Sequence, residues 1–235
     1  MTFRRKIYDK LLEWKSESNG KSAVLIEGAR RVGKSTIAEE FARNEYDDYI
    51  LLDFALETRD TRRNFEDNIG DLDTFFRNLF IIKGKDLPRR RSVIIFDEVQ
   101  LFPTARQAIK YLVADGRYDY IETGSLISIK KNVRNILIPS EEEKLKMFPM
   151  DFEEFLWAKG NTVTMPAVKS AFESRKPLGD AVHRKIMQLF REYIAVGGMP
   201  QAVASYVNGD SYASIDRVKQ GILSLYDYRS PLVET

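Results

Sequence analysis

The feature that most constrains this chain is the sequence GARRVGKS at residues 28–35, which matches the pattern G-x-x-x-x-G-K-[ST]. Glycine has no Cβ, so Gly28 and Gly33 allow the backbone to bend with successive N–H groups pointing to one side. The apolar run AVLIE precedes the pattern, and STIAEEFA follows it with helical spacing. The sequence therefore predicts a buried strand, a bent loop and a helix, in that order.

This loop carries the groups that bind a polyphosphate. Its N–H groups and the positive end of the following helix attract phosphate oxygens. Lys34 adds a mobile positive charge, and the Ser35 hydroxyl suits the octahedral shell of Mg²⁺. We expect Arg30 and Arg31 on the outward side of the loop, with a role at the γ-phosphate as the alternative. The predicted nucleotide-binding residues are Gly28, Ala29, Arg30, Arg31, Val32, Gly33, Lys34, Ser35 and Thr36.

A second motif supplies two carboxylates. The apolar run SVIIF at residues 92–96 reads as a buried strand and ends in Asp97 and Glu98. At the end of such a strand Asp97 can bind Mg²⁺, and Glu98 can act as the general base that activates the attacking water. We therefore assign metal binding to Ser35 and Asp97, and catalysis to Lys34 and Glu98.

Polar residues end two more of the predicted strands. Thr123 and Ser125 follow the run YDYIE, and Thr123 is the preferred residue for sensing the γ-phosphate or positioning the water. Ser125 is interpreted as a turn residue beside Gly124. Asp53 also ends a strand, where capping is its expected role.

Strand and helix patterns alternate over the first part of the chain. Helices are predicted at residues 3–14, 72–82 and 104–115, and strands at residues 23–27, 49–54, 92–96, 118–122 and 144–148. This alternation predicts an α/β fold with a mostly parallel sheet and ligands at the carboxyl ends of the strands. From residue 151 onward only helical patterns remain, and residues 161–166 and 176–180 read as connections. We expect a nucleotide-binding core at residues 1–150 and a helical domain at residues 151–235.

Composition limits the kinds of site, compartment and partner that this chain can have. The 235 residues contain no cysteine and one histidine, His183, which excludes disulfides and argues against a histidine-built metal centre. Neither a membrane-spanning apolar run nor a secretory signal is recognisable, so we expect a cytoplasmic protein without membrane association. The net charge of +2 does not support a nucleic-acid partner, although the basic segment KGKDLPRRR at residues 83–91 keeps DNA open as a partner.

With these motifs in view, the chain resembles the AAA-type ATPases of bacteria and archaea that carry a C-terminal domain of unknown function. GARRVGKST, IIFDEVQ, ETGSL, FPMDFEEFLWAKG and YIAVGGMPQAV match that group's pattern in order, over residues 21–228. The last two segments are the most discriminating. The resemblance implies a P-loop fold of the additional-strand, catalytic-glutamate type. Relatives usually continue into a winged-helix or nuclease-like module, so the helical domain is expected to be shortened relative to the family.

The chain is also similar to the signal-transduction ATPases with numerous domains. That likeness implies that a Gly-x-Pro element, matched by Gly198, Met199 and Pro200, approaches the bound base. Pro200 as the first residue of a helix is the alternative interpretation.

These observations predict Mg²⁺-dependent hydrolysis of ATP that drives or gates a conformational change. ATP is preferred over GTP because of the resemblance and because no N-K-x-D tetrapeptide is found. The alternatives are a nucleotide-dependent switch with little turnover and a DNA-associated motor or repair ATPase. A homo-oligomer or a protein partner is possible, and an arginine acting on the transition state could be Arg62, Arg117, Arg134 or a residue of a neighbouring subunit.

Overall fold

The structure is a computed structural model that describes residues 2–125 and 141–227. Contacts within the chain separate two compact units. The sheet unit runs from Lys6 to Met147, and the helical unit joins residues 3–5 to the chain from Phe148 onward. Each unit has its own apolar core. The division lies close to the predicted boundary at residue 150, whereas the function assigned to each part stays a prediction.

Five parallel strands form the sheet. They are β1 (Ala23–Gly28), β2 (Asp48–Asp53), β3 (Ser92–Asp97), β4 (Asp119–Ser125) and β5 (Glu142–Met147). Their order across the sheet is β2-β3-β4-β1-β5, and every neighbouring pair is parallel. The predicted α/β fold is therefore confirmed. Strand β4 lies between the loop-bearing strand β1 and the carboxylate strand β3, as the additional-strand arrangement requires.

Helices cover both faces of this sheet. In the sheet unit these are α1 (Lys6–Ser18), α2 (Lys34–Glu45), α3 (Arg59–Asn68), α4 (Leu72–Lys83) and α5 (Pro103–Asp115), with a 3-10 turn at Val99–Leu101. Leu25, Ile94 and Phe96 belong to one core cluster with apolar residues of α3, α4 and α5. Successive strand side chains point to opposite faces, and α2 packs on β1 to β4, so α2 covers the other face.

The strand register brings the polar ends of the strands to one edge. Asp53 is paired with Asp97 across β2 and β3, and Gly28 is paired with Ser125 across β1 and β4. Both β1 and β3 are buried over their whole length, which explains their continuous apolar sequences. The loop after β1 and the carboxylates after β3 therefore share one edge of the sheet, as predicted.

Several predicted boundaries in the sheet unit are wrong, those of α1, β4 and β5 among them, and one helix was not predicted. Helix α1 begins at Lys6 and ends at Ser18, later than predicted at both ends. Strand β4 continues through Ser125, so Thr123 and Ser125 are strand residues rather than residues that follow the strand. Helix α3 was not predicted, because only Thr61, Asn64 and Phe65 are buried and the remaining residues give no apolar periodicity.

The helical unit contains five described helices. They are α6 (Phe152–Ala158), α7 (Thr164–Ser174), α8 (Asp180–Val196), α9 (Pro200–Val207) and α10 (Tyr212–Asp227). Its core is formed by Met150, Phe155, Val196, Ala202, Val203 and Ile215. Helix α7 was not predicted, and the connection expected at residues 161–166 is interrupted at Thr164, where that helix begins. None of the α7 residues is buried, although Met165, Val168 and Phe172 recur at helical spacing, a pattern that was overlooked.

A polar arrangement fixes the start of the helical unit. Asp151 and Glu154 form a capping box at the beginning of α6. The buried guanidinium of Arg5 lies 3.2 Å from a carboxylate oxygen of Glu154 and donates a hydrogen bond of 2.7 Å to the carbonyl of Phe148. Because the cap and the ion pair share Glu154, the acidic residues of FPMDFEEFL have a structural role at the start of this helix. Across the described ranges, no helix has the length and apolar character needed to cross a membrane.

Glu122 of β4, Glu142 of β5 and Arg106 of α5 form a buried group of two carboxyls and one guanidinium. Arg106 of α5 binds both oxygens of Glu142, at 3.0 and 2.9 Å. Glu122 is fully buried beside them, and as an ionised carboxylate it would have no hydrogen-bond donor among the described residues. Burial raises the pKa of Glu122 well above its usual range, the charge of Glu142 raises it further, and Arg106 opposes both effects. These effects favour the protonated form of Glu122, in which its carboxyl group can donate to Glu142.

We predict that this carboxyl group makes the fold less stable as the pH rises. Above pH 4.5, the ordinary pKa of a glutamic acid, the folded state keeps a proton on Glu122 that the unfolded chain has released. The free energy of unfolding should therefore decrease with pH, by up to about 1.4 kcal/mol per pH unit for this one proton, until the pH reaches the folded-state pKa. Glu122→Gln keeps the shape and cannot ionise, so its stability should depend less on pH.

The measurement is urea unfolding of both proteins between about pH 5 and pH 9. Glu143→Gln is the matched control, because Glu143 is exposed on the same strand as Glu142, and its curve should run parallel to that of the wild type. Parallel curves for Glu122→Gln and the wild type would contradict the buried-proton account.

Candidate functional site

The loop between β1 and α2 has the backbone shape of an anion-binding turn. Gly33 lies in the left-handed region at φ 97°, directly before α2 begins at Lys34, and Arg31 is also left-handed at φ 62°. Left-handed residues alternating with ordinary ones turn successive N–H groups toward one side, next to the positive end of the helix. Gly33 therefore allows the loop to bend, as predicted, because its backbone lies in the left-handed region. Arg31 is exposed and Arg30 is half-buried.

Gly28 is required for a different reason from the predicted turn. Its φ is not positive, but a Cβ at this position would lie 2.2 Å from the carbonyl oxygen of Met147. The paired end of β5 therefore occupies the space of a side chain. Gly28 permits a close approach of two backbones, and Gly33 supplies the turn.

Lys34 lies inside this loop rather than in solvent. Its side chain is 5% exposed, and its ammonium donates hydrogen bonds to the carbonyls of Gly28, at 3.3 Å, and Ala29, at 2.9 Å. Burial lowers the pKa of Lys34, while the negative charges of Glu98 and Asp97 act to raise it. The lysine therefore belongs electrostatically to the same site as the two carboxylates.

Asp97 connects the loop to the neighbouring strands. Its Oδ1 accepts a 2.7 Å hydrogen bond from the hydroxyl of Ser35 and another from the hydroxyl of Thr123. The Asp97 side chain is largely buried and Thr123 is fully buried. Both residues that sequence analysis assigned to the metal, Ser35 and Asp97, are thus in direct contact.

Glu98 leaves the strand in an uncommon conformation. Its backbone is left-handed, with φ 52° and ψ 42°, which costs on the order of 1–3 kcal/mol for a residue other than glycine. Its N–H donates to the hydroxyl of Thr123 at 3.3 Å. Thr123 thus contacts both acidic residues, and its predicted contact with the γ-phosphate or the water stays a prediction.

Gln100 was not predicted as a site residue, yet its side chain contacts the carboxylate of Glu98. Its amide nitrogen donates to Oε2 of Glu98, and its amide oxygen accepts a 3.4 Å hydrogen bond from the N–H of Ser125. The signal available in the sequence was a polar residue in the turn directly after the two carboxylates. It was overlooked because a glutamine in a turn is commonly solvated, whereas Gln100 is 5% exposed.

The other residues named from the sequence lie at different places. Val32 is fully buried and Ala29 half-buried in the loop, whereas Thr36 is exposed in the first turn of α2. Asp53 ends β2 and accepts a 2.8 Å hydrogen bond from the N–H of Ala55, so it stabilises the turn after the strand, whereas Thr58 is the residue that caps the next helix, α3. The binding roles of these loop residues stay predictions.

Of the arginines considered for the transition state, two belong to the described chain. Arg117 precedes β4, at the opposite end of the strands from the loop, and pairs with Asp115 and Asp73. Arg62 contacts the carbonyl of Phe54 at the same edge as Asp97 and lies over the ring of Phe102, at 4.9 Å. Arg117 therefore cannot serve the site of its own chain, whereas Arg62 is placed at the correct edge. Arg134 lies outside the described residues.

Pro200 lies in the helical unit as the first residue of α9, where its fixed φ suits a helix start. Gly198, just before it, packs against the backbone of Met150, where a Cβ would lie 2.1 Å from the carbonyl oxygen. Gly197 ends α8 with φ 81°. Packing explains Gly198, and a left-handed backbone explains Gly197, without a ligand. The contact of Pro200 with a nucleotide base stays a prediction.

The site has the donors that a Mg²⁺–polyphosphate group requires. A serine hydroxyl and a carboxylate oxygen in contact are hard oxygen ligands, which Mg²⁺ prefers, and a lysine lies beside them. No group of three or more acidic, histidine or cysteine side chains suited to a metal occurs within residues 2–125 and 141–227.

Comparison with known proteins agrees with this geometry. A family model described as an AAA domain matches residues 20–156, more than half of the chain. The sequence matches no functionally curated protein.

Two solved structures are similar in outline. The Orc1 protein of Aeropyrum pernix, solved in complex with DNA, is 13% identical, with a TM-score of 0.43, over 66% of this chain and 48% of that one. A signal transduction ATPase with numerous domains from Pyrococcus horikoshii, which carries a tetratricopeptide repeat sensor, is 15% identical, with a TM-score of 0.46. The match covers 95% of this chain and 37% of that one. This chain thus spans less than half the length of either. Both likenesses are too weak to assign it a role.

We predict that the close approach at Gly28 makes this position intolerant of any side chain. Gly28→Ala should lower the free energy of unfolding by about 1–3 kcal/mol, because the carbonyl of Met147 is backbone and can move only if β5 moves. Gly70→Ala is the matched control, since nothing lies within 4 Å of a Cβ there, and it should change stability by less than about 1 kcal/mol. Urea unfolding measures both, and wild-type stability in Gly28→Ala would contradict the predicted packing.

Proposed function

The chain belongs to the AAA domain family, and from that membership we propose that it binds ATP together with Mg²⁺ and hydrolyses the ATP to ADP and phosphate. The observation that carries the proposal is the contact between Ser35 and Asp97, with Lys34 and Glu98 at the same edge of the sheet. Each of these side chains has a separate task in phosphoryl transfer to water.

Lys34 and the loop hold the phosphates in this proposal. The ammonium of Lys34 already donates to loop carbonyls 2.9 and 3.3 Å away, so it can reach a phosphate oxygen within the same turn. The N–H groups of the loop and the start of α2 supply further positive potential. Because the lysine is buried, its charge is poorly screened and acts strongly on the phosphate chain.

Ser35 and Asp97 would hold the metal. A Mg²⁺ ion held there would supply positive charge to offset the negative charge that develops on the phosphate oxygens during transfer. Thr123 donates to Asp97 and fixes the orientation of its carboxylate. We therefore assign Thr123 a positioning role in addition to its predicted contact with phosphate or water.

Glu98 is the proposed general base. It follows Asp97 directly, so a water near the γ-phosphate lies within its reach when Asp97 holds the metal. Turnover by this group would gate a conformational change, which is the usual use of nucleotide hydrolysis in switching proteins.

The alternative of a DNA-associated motor is not favoured by the basic segment at residues 83–91. Lys83 pairs with Glu57, Lys85 with Asp48, and Arg91 with Asp47. The segment also precedes β3, at the end of the sheet opposite the phosphate loop. Four of its five basic side chains thus pair with carboxylates of the chain, so we propose no nucleic-acid contact there.

We predict that Glu98→Gln separates binding from turnover. The amide cannot accept the proton of water, so the rate of phosphate release should fall by about 10²–10⁴-fold, while ATP affinity stays close to that of the wild type. A phosphate-release assay measures the rate, and titration calorimetry measures the ATP affinity.

Glu66→Gln is the matched control, because Glu66 is exposed on α3, and it should behave as the wild type. Equal rates of phosphate release for the wild type and Glu98→Gln would refute the assigned base. Measurable ATP binding without turnover in the wild type would instead favour a nucleotide-dependent switch.

A further inference from the structure

Gln100 is a buried polar group for which the proposed chemistry has so far given no task. It lies in the turn Val99–Leu101 and is 5% exposed. Its amide connects two places that matter for the reaction, the carboxylate of Glu98 and the N–H of Ser125 at the end of β4.

The orientation of this amide follows from its two partners. The N–H of Ser125 can only donate, so it requires the amide oxygen of Gln100. The amide nitrogen is then directed at Oε2 of Glu98, which can accept its hydrogen bond. A flipped amide would place oxygen against carboxylate and N–H against N–H, so the strand end determines which group faces Glu98.

We propose that Gln100 is a positioning residue for the general base, an inference that rests on the function proposed above. The bond to Oε2 restrains rotation of the Glu98 carboxylate and leaves Oε1 to accept the proton of the attacking water. Thr123 holds the backbone of Glu98 through a separate bond, so main chain and side chain are restrained independently. A base held in its working orientation loses less entropy on reaching the transition state.

The arrangement also makes the end of β4 part of the catalytic apparatus. Thr123 binds Asp97 and the Glu98 backbone, and Ser125 orients Gln100, which orients the Glu98 side chain. A displacement of β4 along its axis would therefore change both carboxylates together. Two residues of the sequence ETGS therefore act on the acidic pair from one strand, Thr123 directly and Ser125 through Gln100.

The test is Gln100→Met, which keeps the length and apolar volume of the side chain and removes the amide. ATP affinity should stay within about threefold of the wild type, whereas kcat should fall by about 10- to 100-fold, the value of a hydrogen bond to a charged group. Gln107→Met is the matched control, because Gln107 is exposed on α5, and its kcat should equal that of the wild type.

A double variant separates positioning from a structural effect. If Gln100 acts through Glu98, adding Gln100→Met to Glu98→Gln should cause no further loss of kcat, because the base is already absent. Multiplying losses would show that Gln100 acts elsewhere and would overturn the proposal. Gln100→Glu provides a second variant if the methionine impairs folding, since it keeps the acceptor for Ser125 but no longer offers the amide donor to Glu98, and the same loss of kcat is expected.

Two results distinguish this inference from the function on which it rests. Equal turnover by the wild type and Glu98→Gln would overturn the base assignment and this inference with it. A large loss in Glu98→Gln together with wild-type kcat in Gln100→Met and Gln100→Glu would overturn the role of Gln100 alone.

Discussion

Oδ1 of Asp97 accepts hydrogen bonds from two hydroxyls, one from the first turn of α2 and one from β4. Burying a carboxylate costs free energy unless hydrogen bonds and opposite charge compensate it. Ser35 and Thr123 supply the bonds, each worth about 1.5–3 kcal/mol when the acceptor is charged. Lys34 supplies the opposite charge. The site therefore requires β1, β3 and β4 to lie in their observed order, because only then do both hydroxyls reach one oxygen while Lys34 lies in the same loop.

Two backbone constraints make that arrangement possible. The end of β5 occupies the space beside Gly28 and brings the edge strand close to the loop. Gly33 then turns the chain so that α2 starts with Lys34 and Ser35 facing the strand ends. A further strain is stored at Glu98, whose left-handed backbone is held by Thr123. Strain of this kind persists where surrounding bonds determine the conformation, and here those bonds come from neighbouring strands.

Much of this site could be predicted from the sequence, because its residues stand in short contiguous motifs on buried strands. The runs AVLIE and SVIIF are buried on both faces, so they identify β1 and β3 without ambiguity. The contact of Ser35 with Asp97 then follows from parallel strand ends sharing an edge. What the motifs could not reveal is the network beyond the first contacts, such as the bonds of Gln100, which depend on side-chain directions rather than spacing.

Two helices that bury few or no residues were missed. Helix α7 buries no residue, and α3 buries only three, two of them polar. Because α3 packs so little apolar surface, its sequence gives no apolar periodicity, whereas the spacing of Met165, Val168 and Phe172 did indicate α7 and was overlooked. The basic segment at residues 83–91 shows the same limit, because its positive charges are visible in the sequence while their acidic partners, distant along the chain, are not.

The most direct test of the account is a double-mutant cycle of Ser35→Ala and Asp97→Asn. ATP affinity is measured for each protein with Mg²⁺ and with EDTA, and the quantity compared is the increase in affinity that Mg²⁺ produces. If both side chains hold the same ion, each substitution should remove most of that increase, and the double variant should lose little more than the worse single variant. ATP affinity that does not depend on Mg²⁺ in the wild type, or losses that multiply in the double variant, would contradict a shared metal site.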